Sequence, residues 1–299
     1  MQLTSIHPVL SLSMGLPDES LPQGYYLMPW PSLDQNERWV DWSWYQNDGT
    51  TQHKPFDVDV FCRNHPEVDG AIIRAVWPDG STDQHYAHYY DGFLRNGKKV
   101  AAYLWPNPQK TIANMVKDWN TALSGRLPKL LGYDWEEAST FLGKSNTQLT
   151  SLMQSLWAAL PGFYGEQTHI FYSRGSWLDS RITVGEWFHS IKFWLANYIY
   201  PDDNPPLMAT HWSEIDKFLP IDNGFTPRRG PVKVENVVGW QFSSFGKIVP
   251  NGTSDMDYFL KSFVGPIYGE PVPVPSPKVP IEIRASLDKV DIRIVDNGP

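Results

Sequence analysis

Between Trp39 and Phe242 the chain alternates between two hydrophobic patterns. One is a short continuous apolar run closed by a turn residue. Trp39 to Trp44, Gly70 to Trp77 (GAIIRAVW, stopped by Pro78-Asp79-Gly80) and Lys99 to Trp105 (KVAAYLW, stopped by Pro106) have this form. So do Leu127 to Trp135, His169 to Tyr172, Lys192 to Tyr198 and Val237 to Phe242. Such runs predict strands buried on both faces. The other pattern repeats at helical spacing. Ile112 to Leu123 and the series Leu149, Leu152, Leu156 and Ala159 predict helices, and Val184 to Ile191 predicts a short one. Ser81 or Thr82 is expected to cap a helix through Leu94, stopped by Gly97.

Buried strands alternating with helices predict parallel α/β structure. No glycine-rich dinucleotide fingerprint follows the first strand, so the pattern predicts a TIM-like (β/α) barrel rather than an open nucleotide-binding sheet. Both ends of the chain read differently. Residues 1–35 are rich in Pro, Ser and Gly without a period and read as an extension on a barrel domain spanning 36–264. Residues 265–280 contain PIYGEPVPVPSPKVP, a polyproline-type spacer. Residues 281–299 alternate apolar and charged positions, the pattern of a small hairpin. Met1 to Leu16 lacks the basic start and apolar run of a secretory signal, and no run of about 18 apolar residues is long enough to span a membrane.

Composition adds a little. The 14 Trp, 14 Tyr and 14 Phe supply flat surfaces that suit stacked ligands and a large core equally. The net charge is −8 and no dense Lys/Arg run exists, which disfavours nucleic acid and anionic membranes as partners. The single cysteine, Cys62, forbids an intrachain disulfide and reads as an inert thiol. His85 and His88 share a helical face, but no third ligand completes a metal set, so a solvated face and no cofactor are expected. Asn251-Gly252-Thr253 reads as a turn.

Catalysis in a parallel barrel sits where strands end, so acids just beyond an apolar run are the candidates. Three places qualify: Asp41 in Val40-Asp41-Trp42-Ser43 at the end of the first strand, Asp134 and Glu136 in LLGYDWEE at the end of a middle one, and Asp255 and Asp257 after the last. Asp134 and Glu136, two apart on a strand, share one face at roughly 6.6 Å between Cα atoms. Neighbouring carboxyls resist joint ionisation, which drives one pKa up. A protonated acid beside an anion suits glycoside hydrolysis. An isolated D-x-E is more often just the start of a solvated acidic loop.

The order of the motifs adds specificity. From about Trp39 to Phe259 the chain resembles the glycoside hydrolase family 25 muramidases, the Chalaropsis-type lysozymes that include many phage endolysins. The segments that carry the resemblance are WVDWSWYQ, GAIIRAVWPDGSTDQHY, KKVAAYLWPNP, LLGYDWEE, HIFYSRGSW, FWLANY and VVGWQFSSFGKIVPNGTSDMDYF. It implies five β/α units followed by three strands, and cleavage of the β-1,4 bond after N-acetylmuramic acid in peptidoglycan, outside the cytoplasm. The protein would then be phage-encoded or exported by a non-standard route. Carried over by position, Glu136 is the proton donor and Asp134 its charge-stabilising partner, with Asp41 and Asp255 as further acids of the cleft. Leu104 and Asp257 stand where the family usually has histidine and asparagine, and with Glu137 they are expected to alter the cleft's chemistry. Tyr103, Tyr172, Trp194 and Trp240, at strand ends, are expected to stack on sugar rings or to fill the core. Arg74 is expected to pair with Asp41 or Asp134, and Asp83 to lie at the substrate.

Two other readings stay open. Asp134-Trp135-Glu136 also echoes the D-x-D-x-E strand of chitinase-type hydrolases, although Gly132 stands at its first acid. The barrel could instead be a non-catalytic glycan-binding or structural module.

Overall fold

A computed structural model describes residues 30–48, 50, 52–136, 141–198, 209–221, 230–249, 252–269, 281–286 and 289–294. Eight strands close into one barrel in chain order. They are β1 (Asn36–Trp42), β2 (Gly70–Val76), β3 (Lys99–Leu104), β4 (Leu130–Asp134), β5 (Thr168–Arg174), β6 (Phe193–Ala196), β7 (Val237–Gly246) and β8 (Ser254–Leu260). β1 to β7 run parallel. β8 is antiparallel to both β7 and β1 and seals the barrel. Because β8 is reversed, its first residues lie at the rim where the other strands end.

Seven helices are described: α1 (Val58–Asn64), α2 (Tyr86–Arg95), α3 (Ile112–Leu123), α4 (Asn146–Tyr164), α5 (Gly175–Arg181), α6 (Trp212–Asp216) and α7 (Lys261–Tyr268). α3 has the predicted bounds, and Thr111 caps it by accepting the Asn114 N–H. At α4, Ser145 and Gln148 form a reciprocal capping box. α2 starts later than expected. Asp79, not a helix cap, engages Ser81, and the helix begins at Tyr86 behind Asp83, whose Oδ1 accepts the His85 N–H. The predicted helix at Val184 to Ile191 is a 3-10 turn over Glu186–Ser190. The pattern did not reveal α1, whose seven residues bury Val58, Phe61 and Cys62, too few for a period to show.

Strand alternation sorts the side chains. On β1, Val40 and Trp42 face the helices while Trp39 and Asp41 face inward. Trp42 has the rings of Phe56, Phe61, Tyr89 and Phe93 at 4.5–5.9 Å and donates its indole N–H to Ser254 Oγ. The lower half of the barrel interior is apolar, built from Trp39, Ile72, Leu130, Ile170, Val238 and Phe259. Glycines make room for these rings. A Cβ at Gly70 would stand 2.6 Å from the Trp39 indole, and one at Gly239 would stand 2.5 Å from Phe259.

α7 closes the bottom, with Val264 buried, and Tyr268 donates to the Val100 carbonyl at 2.7 Å. This helix runs four residues into the segment that composition assigns to the spacer. Most of the predicted extension and spacer, with Glu137 and Asn251, lies outside the described residues. β9 (Ile281–Ser286) and β10 (Lys289–Ile294) pair antiparallel as the expected hairpin.

Candidate active site

The inward positions turn from apolar to ionisable two residues higher on the same strands. Asp41, Arg74, Tyr103, Asp134, Tyr172, Trp194 and Asp255 line a pocket of about 200 Å³ at the C-terminal rim, with Glu136 at its edge. Register brings them together. Asp41 stands opposite Asp255 in the β1–β8 pair, and Asp134 opposite Tyr172 in the β4–β5 pair. The four acids expected from the sequence therefore share one pocket.

Burial raises every one of these carboxyls. For Asp41 desolvation dominates, followed by repulsion from Asp255, Asp257 and Asp134. Asp134 is raised by burial and then by Glu136, while Arg74 and Arg174 act in the opposite direction. Glu136 is raised by burial, opposed by Arg174, whose Nη2 lies 3.8 Å from its Oε2. Asp255 is pushed up to about 7 by burial and by Glu136. Repulsion among these acids opposes their joint ionisation. Four buried polar atoms in and just below the pocket have no partner among the described residues: Asp41 Oδ1, Asp134 Oδ1, Asp257 Oδ2 and Arg74 Nη2. Concentrated unmet hydrogen-bonding capacity marks a site built for a ligand rather than for stability.

The neighbouring side chains fix the geometry. Gln241 donates to Asp41 Oδ2 and accepts from the Tyr172 and Tyr198 hydroxyls. Trp194 donates its indole N–H to Asp257 Oδ1 at 2.7 Å, so Asp257 sits beneath the pocket, fully buried. Tyr103 and Tyr172 pack on Trp194 at 6.2 and 4.5 Å between ring centroids.

Several expectations need correction. Arg74 pairs with Asp83, not with Asp41 or Asp134; its Nε donates to Asp83 Oδ2 at 3.0 Å while its guanidinium covers Trp77 at 3.3 Å. Asp83 is not among the residues that line this pocket. It is buried beneath the rim, where it also accepts the Trp44 N–H. Trp240 does not face the cleft. It points outward from β7 into the helix layer against Trp30 and Tyr258, and its N–H goes to the Asn197 carbonyl. Leu104 also faces outward, into the core, and leaves the cleft unaltered. His85 is buried rather than on a solvated face. Trp240 and Leu104 sit on the expected strands and packing decided their face, whereas Asp83 and His85 lie ahead of α2 because the helix starts only at Tyr86.

Residues not singled out beforehand also line the pocket: Ser43, Tyr45, Gln46 and Trp105. Arg174 stands where the β5 run stops, the same signal used for the acids, but a search restricted to acids passes over it. Among the described residues, no cluster of three His, Cys, Asp or Glu is arranged to hold a metal ion, and no helix is long and apolar enough to cross a membrane.

A closed barrel whose strand ends gather carboxyls around a sugar-sized pocket defines the class of barrel hydrolases. The chain belongs to the glycosyl hydrolases family 25, whose family model matches residues 40–250. It is accordingly a glycoside hydrolase. Solved structures share the fold at low identity. A family 25 glycosyl hydrolase from Bacillus anthracis superposes with TM-score 0.54 at 13% identity, over 81% of this chain and 96% of that one. The catalytic domain of endolysin ply40, from bacteriophage P40 of Listeria monocytogenes, gives 0.53 at 15%, over 78% and 98%. A bacterial lysozyme from Streptomyces coelicolor gives 0.53 at 16%, over 75% and 91%. Among curated proteins, none matches the sequence.

Proposed function

We propose that the protein is a peptidoglycan muramidase, hydrolysing the β-1,4 bond between N-acetylmuramic acid and N-acetylglucosamine in the cell wall. The observation that carries this reading is the pocket in which Asp41, Asp134, Glu136 and Asp255 converge at the barrel rim of a family 25 chain. Lysozyme and endolysin neighbours point the same way.

The roles follow from placement. Glu136 is at the pocket edge and partly exposed, and burial raises its pKa, which favours the protonated form and suits it to deliver a proton to the leaving glycosidic oxygen. As that C–O bond breaks, positive charge develops on the sugar ring. Asp134 lies deeper and is the acid on which both Arg74 and Arg174 act, so it is best placed to keep the negative charge that stabilises this cation. It does so directly or by holding the substrate's acetamido group. Water then adds to the sugar carbon, and its proton returns to Glu136. Asp41 and Asp255 complete the negative bowl, while Tyr103, Tyr172 and Trp194 form its aromatic wall.

The test is release of new reducing ends from purified peptidoglycan and from chitin, with Glu136→Gln alongside. Release from peptidoglycan that disappears in the variant is expected. Release from chitin alone would replace this reading with a chitinase-type activity, and release from neither would leave a non-catalytic barrel.

A further inference from the structure

Two depressions extend the acidic pocket along α5. The first, about 510 Å³, shares Glu136 with the pocket and is lined by Arg174, Ser176, Trp177 and Ser180. The second, about 480 Å³, shares Trp177 and Ser180 with the first and adds Lys144 and Arg181. Together they form one groove leading away from Glu136. Its walls are tied to each other. Arg181 Nη2 donates to the Lys144 carbonyl at 2.9 Å, and Asn146 donates to the Ser180 carbonyl at 2.8 Å, so the loop ahead of α4 is fastened to α5. Trp177 sits edge-on against Phe141 at 5.9 Å and forms part of the shared wall.

The charge of this groove contrasts with the rest of the molecule. A chain of net charge −8 places Arg174, Lys144 and Arg181 along one path that begins at Glu136 on the edge of the acidic pocket. The sugar backbone of a peptidoglycan strand is neutral. Its negative charge sits on the peptide stems carried by the muramic acid lactyl groups. Carboxylates on a stem find no cation facing them on Asp41, Asp134 or Asp255 and are attracted by the cations beside that pocket. We infer that this groove binds the carboxylate-bearing peptide stem of the strand being cut, which makes it a second recognition site separate from the sugar pocket. The inference rests on the muramidase reading for the identity of the strand. Arg174 is where the two sites meet, touching Glu136 on one side and the groove on the other.

The experiment separates the groove from the catalysis. Glycan strands with stems, and the same strands after an amidase has removed the stems and left each lactyl carboxylate free at the sugar, are titrated into the Glu136→Gln protein by calorimetry. Stem-bearing strands should bind several-fold tighter, and the difference should shrink as salt is raised. Lys144→Glu, and independently Ser176→Glu, should each weaken stem-bearing strands roughly two- to fivefold and leave stem-free strands unchanged. In otherwise wild-type protein the same substitutions should raise KM for stem-bearing strands at constant kcat. Equal affinity for both strands, equal effects of the variants on both, or a preference for a polyphosphate chain over the stem would overturn the proposal. Stem-dependent binding without any cleavage by the wild type would keep the groove and remove the muramidase reading.

Discussion

The barrel interior has two halves built on the same strands, and two residues separate them. On β1 the inward position changes from Trp39 to Asp41, on β2 from Ile72 to Arg74, and on β8 from Phe259 through Asp257 to Asp255. The lower half is packed with buried rings and aliphatic chains and is closed by α7. The upper half opens at the rim and holds carboxyls that repel one another. The lower half is what makes the upper half possible. Burying several like-charged groups is costly, and the packed layer beneath them keeps the strands in register regardless. Asp41 and Asp255 stand directly opposite on neighbouring strands, a placement that destabilises a sheet and that function requires here.

Substitutions in the two halves should therefore separate stability from activity. The largest effect is expected at the rim. Glu136→Gln should lower kcat by about 10²–10⁴, the usual worth of a positioned general acid, with the melting temperature held or raised. Asp134→Asn should cost about 10²–10³ in kcat; wild-type turnover in that variant would end the paired-carboxylate mechanism. In the lower half the pattern should invert. Trp39→Ala should destabilise by about 3–5 kcal/mol in denaturant unfolding, while the fraction that remains folded keeps its KM. A fall in kcat out of proportion to the folded fraction would show that the two halves are not separable.

Smaller effects sharpen the comparison through pH. Asp255 is raised from an ordinary carboxylate to about 7, so the folded state holds a proton that the unfolded chain releases near pH 4. Stability linked to this group is full below about pH 4 and is lost as pH rises towards about 7. Asp255→Asn should accordingly raise the melting temperature at pH 8 by several degrees, more than at pH 4, while reducing activity. Turnover by the wild type should peak on the acidic side and fall as the raised carboxyls ionise; a constant rate from about pH 4 to 8 would contradict that. The smallest effect is expected for Arg174→Ala. Arg174 holds the raised Glu136 down, so its loss should move the basic limb of the kcat profile upward, by less than about one pH unit because the guanidinium is more than half exposed.

Much of this architecture was legible along the chain. Continuous runs such as GAIIRAVW became β2, buried at all seven positions, and the helical period of Ile112 to Leu123 became α3 without a shift of either end. Acids placed just past those runs became the pocket, because a parallel barrel delivers every strand end to one rim. α1 was not legible, since its seven residues hold too little period. The reach of α7 was hidden by Gly265 and Pro266, which read as the start of a spacer although both lie within the helix.

The sequence by itself determined the order of strands and helices, the rim on which the acids gather, and the family to which the chain belongs. These follow from local periodicity and from residues two apart sharing a face. Only the tertiary structure decided which partner each charged or aromatic group took. Arg74 could have met Asp41, Asp134 or Asp83, and the turn behind β2 gives it Asp83. Trp240 and Trp194 look alike in their apolar runs, yet one faces the helix layer and the other the pocket. Lys144 lies 30 residues before Arg174 and meets it along one groove because α5 packs against the loop before α4. Strand periodicity fixes that neighbouring residues alternate between faces. Which face becomes core, which becomes cleft, and which distant charge completes a site depend on barrel closure, and that involves contacts between residues far apart in the chain.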